Sequence, residues 1–460
     1  MEAENYLSSG YGLRLAIQER AMGWRPFRDY ARVWQPSRLK GIQVGPDYGT
    51  PFLAATQVFD IRPVPRKWLS VERTHEAADR FVTPGTIVVT CSGAVGRATL
   101  AHAPHEKVLI SHDLLRITAD DAAQWGWIYA YLRSPQARAM MTGAKYGHMI
   151  KHLETSHLNA LPVPVVNDKR AADFLRLTSA ILDLRNRAHK ISLEAEAAFE
   201  SAVGLPTIKD RGESGYTVRA SATLFGGRRR MEGSFHNPEA AAIGRHLAKH
   251  GKGFTAISGA GFNVWVPGRY KRVPAEDGVD YYDSADLLEI CPDITKKFAD
   301  CRFGDDHGGR VRSGWLLVPC SGQVYGIIGS VAIAGPSLDG QVVSNHVMRL
   351  APRRDAVLRT GYLQVALTHP RLGRPLVKAL PFGSSVPEID PDEFVGLNIV
   401  RLSPKDEDRI ADLAEEAGRL RAEADLSERA LASSAGELID KFIAGDMREF
   451  IATVPGKLNT

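Results

Sequence analysis

The chain repeats itself. Gly85-Thr86-Ile87-Val88-Val89-Thr90-Cys91-Ser92-Gly93 returns as Gly314-Trp315-Leu316-Leu317-Val318-Pro319-Cys320-Ser321-Gly322, 229 positions further on. The echo spreads outward in a fixed order. Leu53 to Val58 lines up with Tyr282 to Leu287 at the same shift, and Ala94 to Ala98 matches Ile327 to Val331 at 233. The second copy has therefore gained four residues, Gln323 to Gly326. Ser111 to Ile117 then matches Ser344 to Leu350 at 233, Gly126 to Tyr129 matches Gly361 to Gln364 at 235, and Tyr146 through Leu153 matches Phe382 through Ile389 at 236. A shift that only creeps upward is the mark of duplication with small loop insertions; chance matches scatter. Whatever this chain folds into must be buildable twice from one pattern.

Each copy reads as mixed α and β. Thr86 to Thr90 and Trp315 to Pro319 are short apolar runs ended by Ser-Gly turns, hence strands, as are Val108 to Ile110 and Gln341 to Val343. Trp127 to Arg133 and Tyr362 to Thr368 start helices, with a second helix expected after the next proline, over 136–145 and 371–380. After each copy the pattern changes. Phe174, Leu177, Ile181, Leu184, Ala188, Ile191, Ala195 and Ala198 recur at steps of three and four, and so do Ile410, Leu413, Ala417, Leu420, Ala424, Ser427, Leu431 and Leu438. That is heptad spacing with charged residues on the other faces. Asn167 and Ser403 can cap these helices, Pro404 suits a first helical position, and Gly204 and Gly445 can end them. A helix of ~36 residues is about 54 Å long and cannot bury such a stripe on a small globule alone. Two of them can bury their stripes on each other. The expected fold is α+β: two pseudo-repeated α/β globules, at 1–166 and 205–402, separated by two long antiparallel coiled-coil-like helices, at 167–204 and 403–444, with a tail at 445–460. Two independent helices packed on their own globules are the alternative.

A net charge of +5 fits a polyanion partner without requiring one. The four cysteines form no CxxC pair, and no histidine cluster stands at zinc-finger spacing, so no structural metal is expected. The acidic N-terminus does not read as a secretory signal, and no apolar run is long enough to span a bilayer. A cytoplasmic location is expected.

Taken together, the strand–Ser-Gly-x-x-Gly turn, Ile110 to Ile117, Tyr129-x-Tyr131-Leu132-Arg133-Ser134-Pro135, Tyr146-Gly147-x-x-Ile150 and Leu158-x-x-Leu161-Pro162-Val163-Pro164, in this order before a long heptad helix, resemble the specificity subunit of type I restriction-modification systems. Residues 230–239 also resemble a lead-in to such domains. The resemblance covers residues 24–443. It implies that each globule is a target-recognition domain reading one half of a bipartite, asymmetric site in double-stranded DNA. It further implies that the helices fix the spacing and dock DNA adenine methyltransferase subunits, with an ATP-dependent restriction subunit as a further partner. The role is non-catalytic, without cofactor or metal, in antiviral defence. The second copy departs from the pattern, with Val343-Ser344-Asn345-His346-Val347-Met348 in place of Ile-Ser-x-Asp-Leu-Leu. Different half-sites would call for such differences. A scaffold that joins partners through its heptad helices without binding DNA is the competing class.

No catalytic constellation emerges from the residues. Ser258-Gly259-Ala260-Gly261-Phe262 has a glycine-loop look but not the strand–loop–helix context of a nucleotide site. Asn237-Pro238 is followed by Glu239 and Ala240 where an amino-methyltransferase motif needs a proline and an aromatic. Cys91 and Cys320 read as small buried strand-end residues. Reading DNA takes Lys and Arg for phosphates, and Gln, Asn, Arg, His and Ser for base edges. The turn-located candidates are Arg38, Lys40, Gln57, Arg97, Lys145, Tyr146, His148, Lys151 and His152 in the first copy. In the second they are Arg269, Lys271, Gln323, Tyr325, Ser384 and Ser385. His112 and His346 are expected to pack behind them. So mild a charge excess leads to an expectation of weak, salt-sensitive DNA binding alone and tight binding in complex with the methyltransferase.

Overall fold

A computed structural model describes residues 8–144, 152–208, 215–225, 230–269, 271–300 and 308–452. Lys145, Tyr146, His148 and Lys151 lie outside the described residues. The chain mixes helix and strand and divides into two compact units: residues 1–186 with 423–460, and residues 187–422. These boundaries fall inside the two long helices, whereas the sequence suggests them at the helix ends. Each half-helix packs into the apolar core of its own unit.

In unit 1 the elements run α1 (Ser9–Gln18), β1 (Trp24–Pro26), β2 (Ala31–Trp34), β3 (Gln43–Val44), β4 (Thr50–Leu53), β5 (Lys67–Leu69), β6 (Ile87–Thr90), β7 (Ala98–Leu100), β8 (Leu109–Ile110), β9 (Leu114–Ala119), α2 (Trp125–Arg133), α3 (Pro135–Gly143), α4 (Thr155–Asn159) and β10 (Pro162–Pro164). The first long helix follows, α5 (Asp168–Val203). Unit 2 continues with α6 (Ala220–Leu224), α7 (Pro238–His250), β11 (Phe254–Ala256), β12 (Phe262–Trp265), β13 (Pro274–Tyr282), β14 (Lys297–Phe298), β15 (Leu316–Pro319), β16 (Ala332–Ile333), β17 (Val342–Val343), β18 (Val347–Pro352), α8 (Thr360–Thr368), α9 (Gly373–Lys378), α10 (Pro391–Val395) and β19 (Asn398–Val400). The second long helix, α11 (Pro404–Ala444), begins in unit 2 and ends in unit 1.

The centre of unit 1 is an antiparallel sheet in the order β2-β9-β6-β7. All four residues of β6 are buried because both faces of the sheet are covered. Ile87 and Val89 point into the larger core, shared with α2, α3 and the long helices; Val88, on the opposite face, joins a smaller core with Leu53, Val58 and Ile110. The period-2 pleat thus divides one apolar run between two cores. A second sheet, β3-β5-β4-β8, lies on the smaller-core side, with β4 and β8 parallel through Phe52↔Leu109 and Leu53↔Ile110. In unit 2 the central sheet runs β12-β18-β15-β16; Leu316 and Val318 enter the larger core and Leu317 the smaller one. Its companion sheet is β14-β13-β17, with β13 and β17 parallel through Tyr281↔Val342 and Tyr282↔Val343.

The long helices start and stop on local chemistry. Asn167 Oδ1 accepts from Arg170 N at 3.0 Å, and Ser403 Oγ accepts from Asp406 N at 3.2 Å. Gly204 and Gly445 close them at φ 70° and 89°, a region that favours glycine. The heptad reading of α5 is only half right. Phe174, Ile181, Ala188 and Ala195 are buried, but Leu177 is exposed, and Leu184, Ile191 and Ala198 are half-buried. The flanking positions Thr178, Arg185 and Phe199 are buried instead. Polar residues occupy that face because their partners are there: Arg185 meets Asp425 at 3.2 Å and also pairs with Glu428 in α11. Also within unit 1, Arg170 near the start of α5 lies 2.9 Å from Glu449, just past the end of α11.

Candidate nucleic-acid interface

The central sheet of each unit ends in a Cys-Ser-Gly turn, and this turn organises the surface expected to meet DNA. In unit 1, Cys91 N donates to Asp113 O at 3.1 Å and Cys91 O accepts from Leu153 N at 2.9 Å. Three segments, 91–97, 111–113 and 152–153, are thereby joined by main-chain bonds, and Ser92 forms a bridge with His152. In unit 2, Cys320 N donates to His346 O at 3.0 Å, Cys320 O accepts from Ile389 N at 2.8 Å, and Ser321 forms a bridge with Glu388. Both thiols are buried. Burial, reinforced by Asp113, pushes the Cys91 thiol up to about 12, and burial also raises Cys320. Thiols held protonated in this way are poor nucleophiles.

Behind each turn lies a fully buried arginine. Arg116 on β9 donates to Leu114 O at 2.5 Å and Ile110 O at 2.9 Å. Arg349 on β18 donates to Ser344 O at 2.8 Å, Val343 O at 2.6 Å and Gly309 O at 3.2 Å, and also to Val347 O. Burial brings Arg116 down to about 10. The guanidinium fork gathers carbonyls of the loops that bear Ser111 to Asp113 and Ser344 to His346, supplying donors where strand pairing does not. A charged residue inside an apolar strand, at matching places in both copies, is the sequence signal of this role. A third buried arginine, Arg80, donates to His75 O at 3.1 Å and Ser37 O at 2.8 Å and so anchors the 37–40 loop.

The candidates fall into three groups. Arg38 and Lys40 are exposed on the loop that Arg80 anchors, and Lys40 O accepts from His75 N at 2.9 Å. His152 is exposed at its bridge to Ser92, and Arg269 and Lys271 are exposed just before β13. Gln323, Tyr325, Ser384 and Ser385 are exposed together, with Gln323 Nε2 donating to Ser385 O at 3.0 Å. Arg97 is half-buried, its guanidinium 4.2 Å from the centre of the Phe59 ring. Gln57 is a correction. Expected on an accessible turn, it is buried; its Oε1 accepts from Ala54 N at 3.1 Å and its Nε2 donates to Val64 O at 2.6 Å. Asp286 caps its own turn in the same way, accepting from Asp283 N at 2.7 Å, so the amide of Gln57 serves the turn. His112 and His346 are half-buried, and His346 Nδ1 lies 3.1 Å from Ser321 Oγ.

The motifs set aside in the sequence have structural roles. Ser258 to Phe262 runs from a short helical turn, Ile257–Gly259, into β12, so no helix follows to receive a phosphate. Asn237 caps α7, accepting from Glu239 N at 2.8 Å, with Pro238 at the first helical position. Among the described residues, no group of three or more His, Cys, Asp or Glu is placed to hold a metal ion, and no helix is long and apolar enough to cross a membrane.

No protein-family model matches the chain, and no curated protein does. Among solved structures it is similar to a type I restriction-modification S subunit from M. genitalium, at 14% identity and TM-score 0.28, over 92% of this chain and 96% of that one. It is also similar to the HsdS subunit from Thermoanaerobacter tengcongensis, at 12% identity and TM-score 0.25, over 93% and 97%. A structure of type I R-M complex assembly matches at 12% identity and TM-score 0.26, over 93% and 98%. These likenesses are too distant to transfer an activity.

Proposed function

We propose that this chain is the sequence-specific DNA-recognition subunit of a type I-like restriction-modification or methylation-linked defence complex. It is a duplicated protein. Its target-recognition domains, 1–166 and 205–402, each read one half of a bipartite, asymmetric site in double-stranded DNA. The helices at 167–204 and 403–444 set the spacing between the halves as an antiparallel pair and dock DNA adenine methyltransferase subunits; an ATP-dependent restriction subunit joins the complex. The chain itself is not an enzyme and works in the cytoplasm.

One observation carries this reading: two units with the same strand pairing present different side chains at matching turn positions. Trp34 pairs with Arg116 and Ile87 with Ile117; in unit 2, Trp265 pairs with Arg349 and Leu316 with Leu350. Where unit 1 bridges Ser92 to His152, unit 2 bridges Ser321 to Glu388. A shared frame with divergent tips suits a reader of two unlike half-sites, because main-chain geometry fixes docking and side chains at base edges fix sequence. Arg38, Lys40, Arg97, Arg269 and Lys271 are assigned to phosphates. His152, Gln323, Tyr325, Ser384 and Ser385 are assigned to base edges.

Selected-sequence enrichment from random duplexes, with the full chain bound to its methyltransferase, tests the proposal. The expected product is a two-part motif with a fixed gap. Absence of any enriched motif would instead favour a scaffold that joins partners through its helices.

A further inference from the structure

The second unit carries an exposed carboxylate where the first carries an imidazole, at a tip that is unusually well braced. Phe382 and Glu388 exchange both main-chain hydrogen bonds at 2.9 Å, closing a hairpin over Gly383 to Pro387. Gly322 N donates to Pro387 O at 3.0 Å, and Gln323 Nε2 holds Ser385 O. From below, Arg230 donates to Leu380 O at 3.0 Å and Pro381 O at 3.1 Å, with its guanidinium 5.8 Å from the centre of the Phe382 ring. Glu388 stands at the base of this hairpin, exposed, its Oε1 3.4 Å from Ser321 Oγ, which in turn lies 3.1 Å from His346 Nδ1. A His–Ser–Glu chain therefore orients the carboxylate without consuming its acceptor capacity, since an ionised carboxylate offers about four lone-pair sites.

We propose that Glu388 is a specificity-determining residue of unit 2 and that it reads the exocyclic amine of a cytosine in the major groove. The inference rests on the DNA-reading function proposed above. A carboxylate is a poor partner for phosphate and accepts only, so on a DNA-facing tip it selects bases that present a donor; cytosine N4 is the pairing that suits Asp and Glu. Glutamine at the same place both donates and accepts, the pattern suited to adenine N6 and N7.

The experiment is sequence enrichment with the full chain in its methyltransferase complex, comparing wild type, Glu388→Ala and Glu388→Gln. Wild type should select cytosine at one position of one half-site. E388A should lose that preference by about 5- to 150-fold, and E388Q should move it toward adenine, with the other half-site unchanged as an internal control for folding. A two-part wild-type motif that both variants reproduce at every position overturns the assignment of Glu388 but not the DNA-reading function. Damage to both half-sites, or a wild-type motif without the cytosine, overturns the assignment too. A wild type that selects no two-part motif overturns the function and the inference together.

Discussion

Glu428 is the residue whose removal should cost unit 1 most. Its side chain is only 1% exposed, on α11, between Arg133 Nε at 3.1 Å and Arg185, and it accepts from the Tyr129 hydroxyl. Burial alone would push its carboxyl upward, but Arg185 and Arg133, with the Tyr129 and Arg185 hydrogen bonds, hold it below the ordinary 4.5. Glu428→Ala leaves two guanidinium groups, 4% and 10% exposed, without their main counter-charge. Breaking a buried pair in this way costs about 3–5 kcal/mol. With a urea m-value of roughly 2–3 kcal/mol/M, the unit 1 transition should fall by about 1–2.5 M. Five of the seven tryptophans, Trp24, Trp34, Trp68, Trp125 and Trp127, lie in unit 1, so fluorescence reports mainly that transition. The sign in pH follows from the lowered folded value. The charge contribution of Glu428 is complete above 4.5 and is lost as pH falls through the folded value, so wild type and Glu428→Gln should converge in acid and separate near neutrality. Replacing Arg133, Arg185 and Glu428 together by apolar residues of similar size should recover part of the loss, because no guanidinium is then stranded, while Asp425 gives up its pairing with Arg185 and the Tyr129 hydroxyl its acceptor. An alanine variant with an unchanged urea midpoint would refute the claim that this cluster holds α2, α5 and α11 together in unit 1.

Gly126 and Gly361 should resist substitution. A Cβ at Gly126 would sit 2.3 Å from Leu175 N on α5, and one at Gly361 would sit 2.5 Å from Ala411 O on α11. Gly→Ala at either place should destabilise its unit by about 1–3 kcal/mol in urea unfolding. At pH 8 the Cys91 thiol, pushed up to about 12, should resist iodoacetamide in the folded chain and react once unit 1 unfolds, as peptide mass mapping would read. Arg38→Ala and Lys40→Ala should weaken DNA binding evenly across sequences and reduce the salt slope by about 1 each in mobility-shift titrations.

Much of the local structure was legible because it is punctuated. Capping residues, prolines and terminal glycines mark both long helices, and continuous apolar runs mark β6 and β15, which are buried on both faces. What stayed hidden was polar and long-range. Heptad counting picked Leu177 over Thr178 and Leu184 over Arg185 because it scores side chains by apolarity. Arg185 is buried by Glu428, 243 residues away, a partner no local window contains. Gln57 looked like a base reader because its residue type fits base edges, but type does not disclose whether an amide is already bonded to its own loop. Glu388 stands opposite His152 at the shift of 236, but a carboxylate does not fit the cation and amide pattern of DNA contacts, and it is the paired bridges at Ser92 and Ser321 that place both residues in the same seat.

Under the function proposed above, two units built on one frame read two different halves of a DNA site. Methylome sequencing of cells with and without this gene tests it most directly. N6-methyladenine that depends on the gene should lie in a gapped, asymmetric two-part motif of fixed spacing. Gene-dependent methylation confined to one uninterrupted motif, or a methylome unchanged by loss of the gene, would contradict it.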